Sequence, residues 1–283
     1  MYKSGSSPNC LEDLWMNVAL TRTLSTIWSY RVVVGRLSIR SLKNRYSATA
    51  GGIAWAIALP LMNLFVFWFV FSYGLRLSAA NTDVPYFLVL FCGLIPWMAF
   101  ADALNNATNS VFEHQYLVKK IAFPIEILPV APIISAAIVH ACMLVFLVML
   151  LMFYGVWPTF YTLYLFLAFP AMMVFALCLG WVLAALNVFQ RDVGQLVGVI
   201  ISLWFWMTPI VWELSMLSPN LRTLMQLNPM VFVVETYRGA LIYGQPPWEW
   251  SAAAMAFGVS VGLLALLGPG IFLRLKSHFA DVM

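Results

Sequence analysis

The stretch Asn187-Val-Phe-Gln-Arg-Asp-Val-Gly-Gln-Leu-Val-Gly-Val-Ile-Ile-Ser-Leu-Trp-Phe-Trp-Met-Thr-Pro-Ile-Val-Trp212 decides how the chain is threaded. It opens with a polar knot of Asn187, Gln190, Arg191, Asp192 and Gln195, wedged between two long apolar segments. The seventeen residues after Gln195 carry no charge and close on Thr208-Pro209 and Trp212. So short a knot is a tight return at a membrane surface, because an unsatisfied backbone and two opposite charges are costly in hydrocarbon. Trp204, Trp206 and Trp212 then fall where an aromatic belt marks the opposite interface.

Composition agrees. Of 283 residues, 63% are hydrophobic and 9% charged, and the mean hydropathy is +0.89. Such values exclude a soluble globular protein and indicate an all-α polytopic membrane protein. Cys10, Cys92, Cys142 and Cys178 are scattered, with no CxxC pair or metal spacing, and read as packing residues. A net charge of +4 is too small to suggest nucleic acid. The first long apolar run begins only near Ile53, so no signal peptide is expected.

Working outward from the knot, six apolar spans are expected: Ile53–Tyr73, Tyr86–Phe100 with Pro96 interrupting it, Ile133–Phe153, Tyr161–Leu186, Gln195–Trp212 and Ser251–Leu273. At 1.5 Å per residue, about 20 residues cross the ~30 Å hydrocarbon core. They divide the chain into an N-terminal arm (1–52), a six-span domain (53–273) and a tail (274–283). A polar loop covers 101–123, and 213–250 is too broken by proline and charge to span. Twelve of the 15 Lys and Arg residues lie in the arm, the loop, the knot and the tail, leaving Arg76, Arg222 and Arg238 elsewhere. By the positive-inside rule both termini are expected in the cytoplasm. Within the arm, Arg36, Arg40 and Lys43 share one helix face and Tyr30, Val33, Val34 and Leu37 another. That pattern reads either as a helix lying on the cytoplasmic leaflet or as ordinary flanking charge.

Few motifs carry chemistry. No lysine follows a G-x-x-x-x-G loop, so a P-loop cradle for nucleotide phosphates is not expected in this chain. Gly258-Val-Ser260-Val-Gly262 fits a nucleophile elbow, but it lies inside an apolar helix rather than at a strand-to-helix turn. Gly258/Gly262 and Gly194/Gly198 also form G-x-x-x-G, which favours close helix packing. His114, His140 and His278 are isolated, and no metal site is expected; His140, at mid-span, reads as a satisfied structural histidine. Glu126 stands alone at the start of a span and calls for a partner, with Lys119, Lys120 or a helix N-terminus as candidates.

Five groups of residues now resemble a known family. They are Arg45-Tyr46 before Gly51-Gly52-x-x-Trp55 and Pro60; Leu117-Val-Lys119-Lys120-x-x-Phe123-Pro124-x-Glu126-x-Leu128-Pro129; and Asn187-Val-Phe-x-Arg191-Asp192-Val-Gly194 with Trp204-Phe-Trp206-x-Thr208-Pro209. Asn228-Pro229 with Tyr237-Arg238, and Arg274-Leu-Lys276-x-x-Phe279-Ala-Asp281-Val, complete the set. From about residue 25 to the C-terminus the chain resembles the membrane subunit of type 2 ABC exporters for polysaccharides: O-antigen, teichoic acid or capsule. The tail tilts the reading toward O-antigen. The resemblance implies a homodimer in the bacterial inner membrane, paired with two copies of a cytoplasmic ATPase subunit that binds ATP and Mg. This chain would need no cofactor. The implied cargo is an undecaprenyl-diphosphate-linked glycan, with a small lipid or drug as the alternative within export. An N-terminal interface helix, a coupling helix within 101–123 and two short re-entrant helices between spans five and six are also implied.

On that reading, Glu113, His114, Gln115, Tyr116, Arg191 and Asp192 are candidates for coupling to the ATPase. Trp55, Phe67, Tyr86, Trp97, Trp204 and Trp206 are candidates for the translocation path, because aromatic faces stack on pyranose rings without strict register. Two rivals fare worse. A membrane-embedded glycosyl- or phosphotransferase needs paired acids near the headgroups, and Asp83, Glu213, Glu235 and Glu249 are not so spaced. A proton-coupled transporter needs ionisable groups at mid-span, where only His140 qualifies.

Overall fold

Apolar runs in lipid must satisfy their backbone internally, which favours helices. The computed structural model describes residues 8–47, 49–75, 84–118 and 123–279, and every regular element among them is helical. In chain order these are α1 (Pro8–Ser29), α2 (Arg31–Tyr46), α3 (Trp55–Phe69), α4 (Tyr86–Glu113), α5 (Gln115–Val118) and α6 (Val130–Phe153). They continue with α7 (Leu165–Phe189), α8 (Asp192–Met207), α9 (Pro219–Met225), α10 (Pro229–Arg238) and α11 (Ser251–Lys276).

Among the described residues, five helical stretches are long and apolar enough to cross a membrane: Gly52–Gly74, Tyr86–Glu113, Ile125–Phe153, Phe160–Phe189 and Ser251–Lys276. The fifth of the six expected spans, Gln195–Trp212, is shorter than the sequence suggests. α8 has 16 residues, about 24 Å at 1.5 Å per residue. It stops at Met207, because Pro209 and the extended backbone of Thr208 end the ladder.

A second difference concerns residues 101–113. They read as the first half of a loop, yet they continue α4 without a break. Their polar side chains resembled loop residues because their partners are remote in sequence: Asp102 pairs with Arg45 at 2.7 Å, and Asn109 accepts from Asn187 at 3.1 Å. Pro96 interrupts nothing either, since α4 runs through it.

α4 is the axle of the bundle, buried along almost its whole length against α6, α7, α8 and α10. α3, by contrast, packs lightly on α4 and α6 and leaves most of its apolar surface open. Lipid tails are as apolar as leucine, so such a bundle gains its cohesion from close packing rather than from hydrophobic transfer. At Gly268 of α11 an added Cβ would stand 2.7 Å from the Cys178 carbonyl oxygen on α7, so the two backbones touch only because the side chain is missing. Gly194 likewise lets α8 approach Asn109 of α4, whereas Gly258 and Gly262 have open space beside them within this chain.

α2 turns Val34, Ser38 and Leu42 inward and packs along α6, where Ser135 donates to the Ser38 carbonyl at 2.7 Å. Its other side presents Arg36, Arg40 and Lys43 to the surroundings. The basic face read from sequence is therefore an exposed one.

Candidate functional site

Polar side chains concentrate at the two ends of this bundle. At the end carrying α2 and the close of α11, Asn187 completes α7 and reaches across to α4. It donates to the Thr108 carbonyl at 3.2 Å and to Asn109 Oδ1 at 3.1 Å, and its own Oδ1 accepts from Gly194 N at 2.8 Å. The Gly194 amide belongs to the first turn of α8, whose leading N–H groups have no partner inside the helix, so Asn187 meets that need from outside. Beside it the Arg191 guanidinium lies 4.9 Å from the centre of the Phe112 ring. The knot is thus fixed to the last turn of α4.

The same turn of α4 ends on Glu113, and His114 follows it. His114 Nδ1 donates to the Ser110 carbonyl at 2.9 Å, and its ring lies 6.1 Å from that of Tyr116. Glu113, Gln115 and Tyr116 are exposed. Arg45, Asn106, Glu113, His114, Tyr116 and Leu128 contribute to the wall of a polar hollow of about 420 Å³ between α2, α4 and the start of α6. The structure therefore places Glu113, His114, Tyr116, Arg191 and Asp192 on one end of the molecule, with α4 linking both groups. Lys119 and Lys120 lie outside the described residues; the partner shown for Glu126 is Lys276.

At the opposite end, the chain after α8 returns inward. Asn228 caps α10 by accepting from Met230 N at 3.0 Å, with Pro229 pre-set for the first helical position. The same Oδ1 accepts from Trp204 Nε1 at 2.9 Å, and its amide donates to Thr208 Oγ1 at 3.0 Å. One asparagine thus starts α10 and pins the end of α8. α10 is buried against α4, α7 and α11 and closes on Arg238. That guanidinium pairs with Glu235 at 3.1 Å and donates to the carbonyls of Ile210 at 2.7 Å and Val89 at 3.3 Å. Tyr86 Oη donates to the neighbouring Val211 carbonyl at 2.6 Å. Burial pushes the Glu235 carboxyl above the usual carboxylate range while Arg238 beside it pulls it down.

The six aromatic candidates fall into three grades of exposure, with Trp204 half-buried. Tyr86 and Trp97 are buried within the chain, and Trp97 stacks edgewise on Trp204 at 6.0 Å. Phe67 is half-buried against Phe71 and Phe205. Trp206, 62% exposed, and Trp55, 37% exposed, face outward. Within this chain, then, Trp55 and Trp206 are the freest of the six to meet a passing molecule. His140 is buried, sharing a 2.9 Å hydrogen bond with Tyr237 and stacking on Phe169 at 4.2 Å. Ser260 donates to the Ala256 carbonyl in mid-helix and has no elbow around it. No group of three His, Cys, Asp or Glu residues among the described residues could hold a metal.

These elements define a multi-pass helical membrane protein whose polar contacts gather at its two ends. Residues 33–242 match the family described as ABC-2 type transporter, and the chain belongs to that family. It is 29% identical over 264 residues to the O-antigen export system permease protein RfbA of Myxococcus xanthus, covering 93% of this chain and 99% of that one. It is 25% identical over 269 residues to RfbA of Klebsiella pneumoniae, covering 95% of this chain and all of that one. To the polysialic acid transport protein KpsM of Escherichia coli it is 23% identical over 242 residues, with 83% of this chain and 88% of that one covered.

Sequence reading missed three sets of contacts: the Arg238–Glu235 clamp, the Arg45–Asp102 pair and the Lys276–Glu126 pair. Two opposite charges three residues apart in an otherwise apolar segment were the available signal for the first. The other two join residues 57 and 150 positions apart, which no local pattern announces.

Proposed function

We propose that this chain is the permease subunit of an ATP-driven exporter that moves an undecaprenyl-diphosphate-linked polysaccharide, O-antigen in the first place, across the bacterial inner membrane. The observation that carries this reading is the end-to-end likeness to RfbA of Myxococcus xanthus. The functional unit is a homodimer with two copies of a separate ATPase subunit that binds ATP and Mg. Six helices enclose little space, so a conduit wide enough for a sugar chain runs at a two-fold seam. In this reading α8 is the fifth of six crossings, α9 and α10 are the re-entrant helices before the sixth, and both termini are cytoplasmic. The end carrying Glu113 to Tyr116 and Arg191–Asp192 faces the ATPase. Trp55 and Trp206, exposed on the protomer, line the path.

Orientation is tested by thiol labelling in a cysteine-free background. A cysteine at Pro246 is expected to react with a membrane-impermeant reagent added outside, and one at Gln115 to stay unlabelled. The reverse pattern overturns the threading.

Function is tested by deleting the gene in the native host and complementing it. Deletion is expected to abolish surface O-antigen while lipid-linked glycan accumulates inside. The full-length gene restores export, and Trp206→Ala slows it for long chains. Glu113→Lys is expected to lower export about tenfold at unchanged protein level, the size of a typical coupling free energy. Unchanged surface O-antigen after deletion sinks the reading. Loss of capsule instead would favour the likeness to KpsM, which covers 83% of the chain.

A further inference from the structure

Segments far apart in sequence meet around Glu126, at the end of the bundle where α11 closes. Glu126 is buried, and its carboxylate pairs with the Lys276 ammonium at the close of α11. Its backbone carbonyl accepts from the Trp181 indole of α7 at 3.0 Å. Three residues past Lys276, Phe279 is fully buried, its ring 5.6 Å from Phe272 and 5.9 Å from Phe189. Val34 of α2 and Val111 of α4 belong to the same apolar cluster.

Two of these contacts have a telling position. Glu126 lies just past the 101–123 segment, and Phe189 lies two residues before Arg191. The close of α11 therefore grips the flank of each segment assigned above to ATPase coupling. We propose that Lys276 and Phe279 are positioning residues that join those two segments into one mechanical unit, so that a push on either moves α4, α6 and α7 together. The inference rests on the coupling reading given above and names residues that reading did not use.

The chemistry of the joint suits a moving part. A buried ion pair adds little stability over a well-packed apolar contact of the same volume, but breaking it one-sidedly leaves a bare charge. Lys276 keeps 29% of its side chain open, so water can reach the ammonium if the pair parts. Glu126 is 7% open and, among the described residues, takes its counter-charge from that lysine. Such a pair holds the segment in register without locking it, whereas Phe279 supplies the permanent anchor.

The test uses the purified full chain and its complex with the ATPase subunit. In Lys276→Gln, amide hydrogen exchange is expected to rise at residues 123–128 and at 188–192 together. Export per ATP hydrolysed is expected to fall about tenfold while basal hydrolysis stays unchanged. Lys276→Arg and the swap Glu126→Lys with Lys276→Glu are expected to restore both readouts. Should Lys276→Gln fail to insert, Glu126→Gln gives the same reading from the other partner. Faster exchange at 123–128 alone, or normal export per ATP, overturns the proposal. If the unsubstituted complex couples no hydrolysis to glycan export, the functional reading falls, while the exchange measurement still decides whether the two segments are joined.

Discussion

Replacing Arg238 by methionine is expected to destabilise the protein by about 3–5 kcal/mol, the range for removing one partner of a buried pair. The guanidinium is 3% exposed and the Glu235 carboxylate 7% exposed, so neither charge has water to fall back on. The substitution also strips a donor from the carbonyls of Ile210 and Val89, each of which must then find another or stay unsatisfied. Adding Glu235→Leu to Arg238→Met should recover a large part of the loss, because the stranded charge is gone. The coupling between the two changes measures the pair. The pH dependence has a definite sign. Without Arg238, burial is the largest influence left on Glu235, and it raises the folded-state value above the unfolded one. The folded state then holds a proton that the unfolded state releases, so the deficit is smallest below the ordinary glutamate range and grows as pH rises toward the raised value. Thermal unfolding in mild detergent at several pH values reads all three effects. A loss below about 1 kcal/mol, or a deficit that shrinks with rising pH, would show that the clamp is not structural.

The second large effect comes from a hydrogen atom's worth of space. Gly268→Ala places a methyl 2.7 Å from the Cys178 carbonyl oxygen and 3.3 Å from its carbon, and backbone atoms cannot rotate away. α7 and α11 must part, which is expected to cost about 1–3 kcal/mol as overpacking does elsewhere. Gly258→Ala, ten residues earlier on the same helix, meets nothing within 4 Å. There the change should be neutral or stabilise by up to about 1 kcal/mol, because alanine loses less backbone entropy than glycine. The pair of variants is its own control, since chemistry and helix are the same. Equal shifts in unfolding temperature would refute the close-contact account.

What could be read from the residues was governed by how local the signal is. Ile53–Tyr73 and Ser251–Leu273 came within a few residues of the helices, because an uninterrupted apolar run needs no tertiary partner to be recognised. The polar half of α4 was misread because Asp102, Asn105, Asn106 and Asn109 are loop residues by composition. In the helix Asp102 bonds to Arg45, Asn109 to Asn187, and Asn106 back to Asp102 one turn earlier. Of the site, the clustering of Glu113 to Tyr116 with Arg191–Asp192 at one end follows from threading alone. Which aromatics face inward does not. Tyr86 and Trp97 carry the same local signature as Trp55, yet their burial is decided by neighbours more than a hundred residues away, Val211 and Trp204.

The brevity of α8 reaches beyond the protein. Leu196, Val199, Ile200 and Leu203 stand exposed on a helix about 24 Å long. On the proposed reading that α8 crosses the membrane, the hydrocarbon slab around them is ~30 Å thick, and tilting can only shorten the helix's reach further. The surrounding lipids must pinch inward there, at fractions of a kcal/mol per ångström. The five longer helices ask for no such dimple. Acyl-chain length and sterol-like stiffening therefore act on this chain unevenly, weighing on one helix and sparing its neighbours. A thicker membrane would bear hardest on α8 and, through Asn228, on the return that follows it.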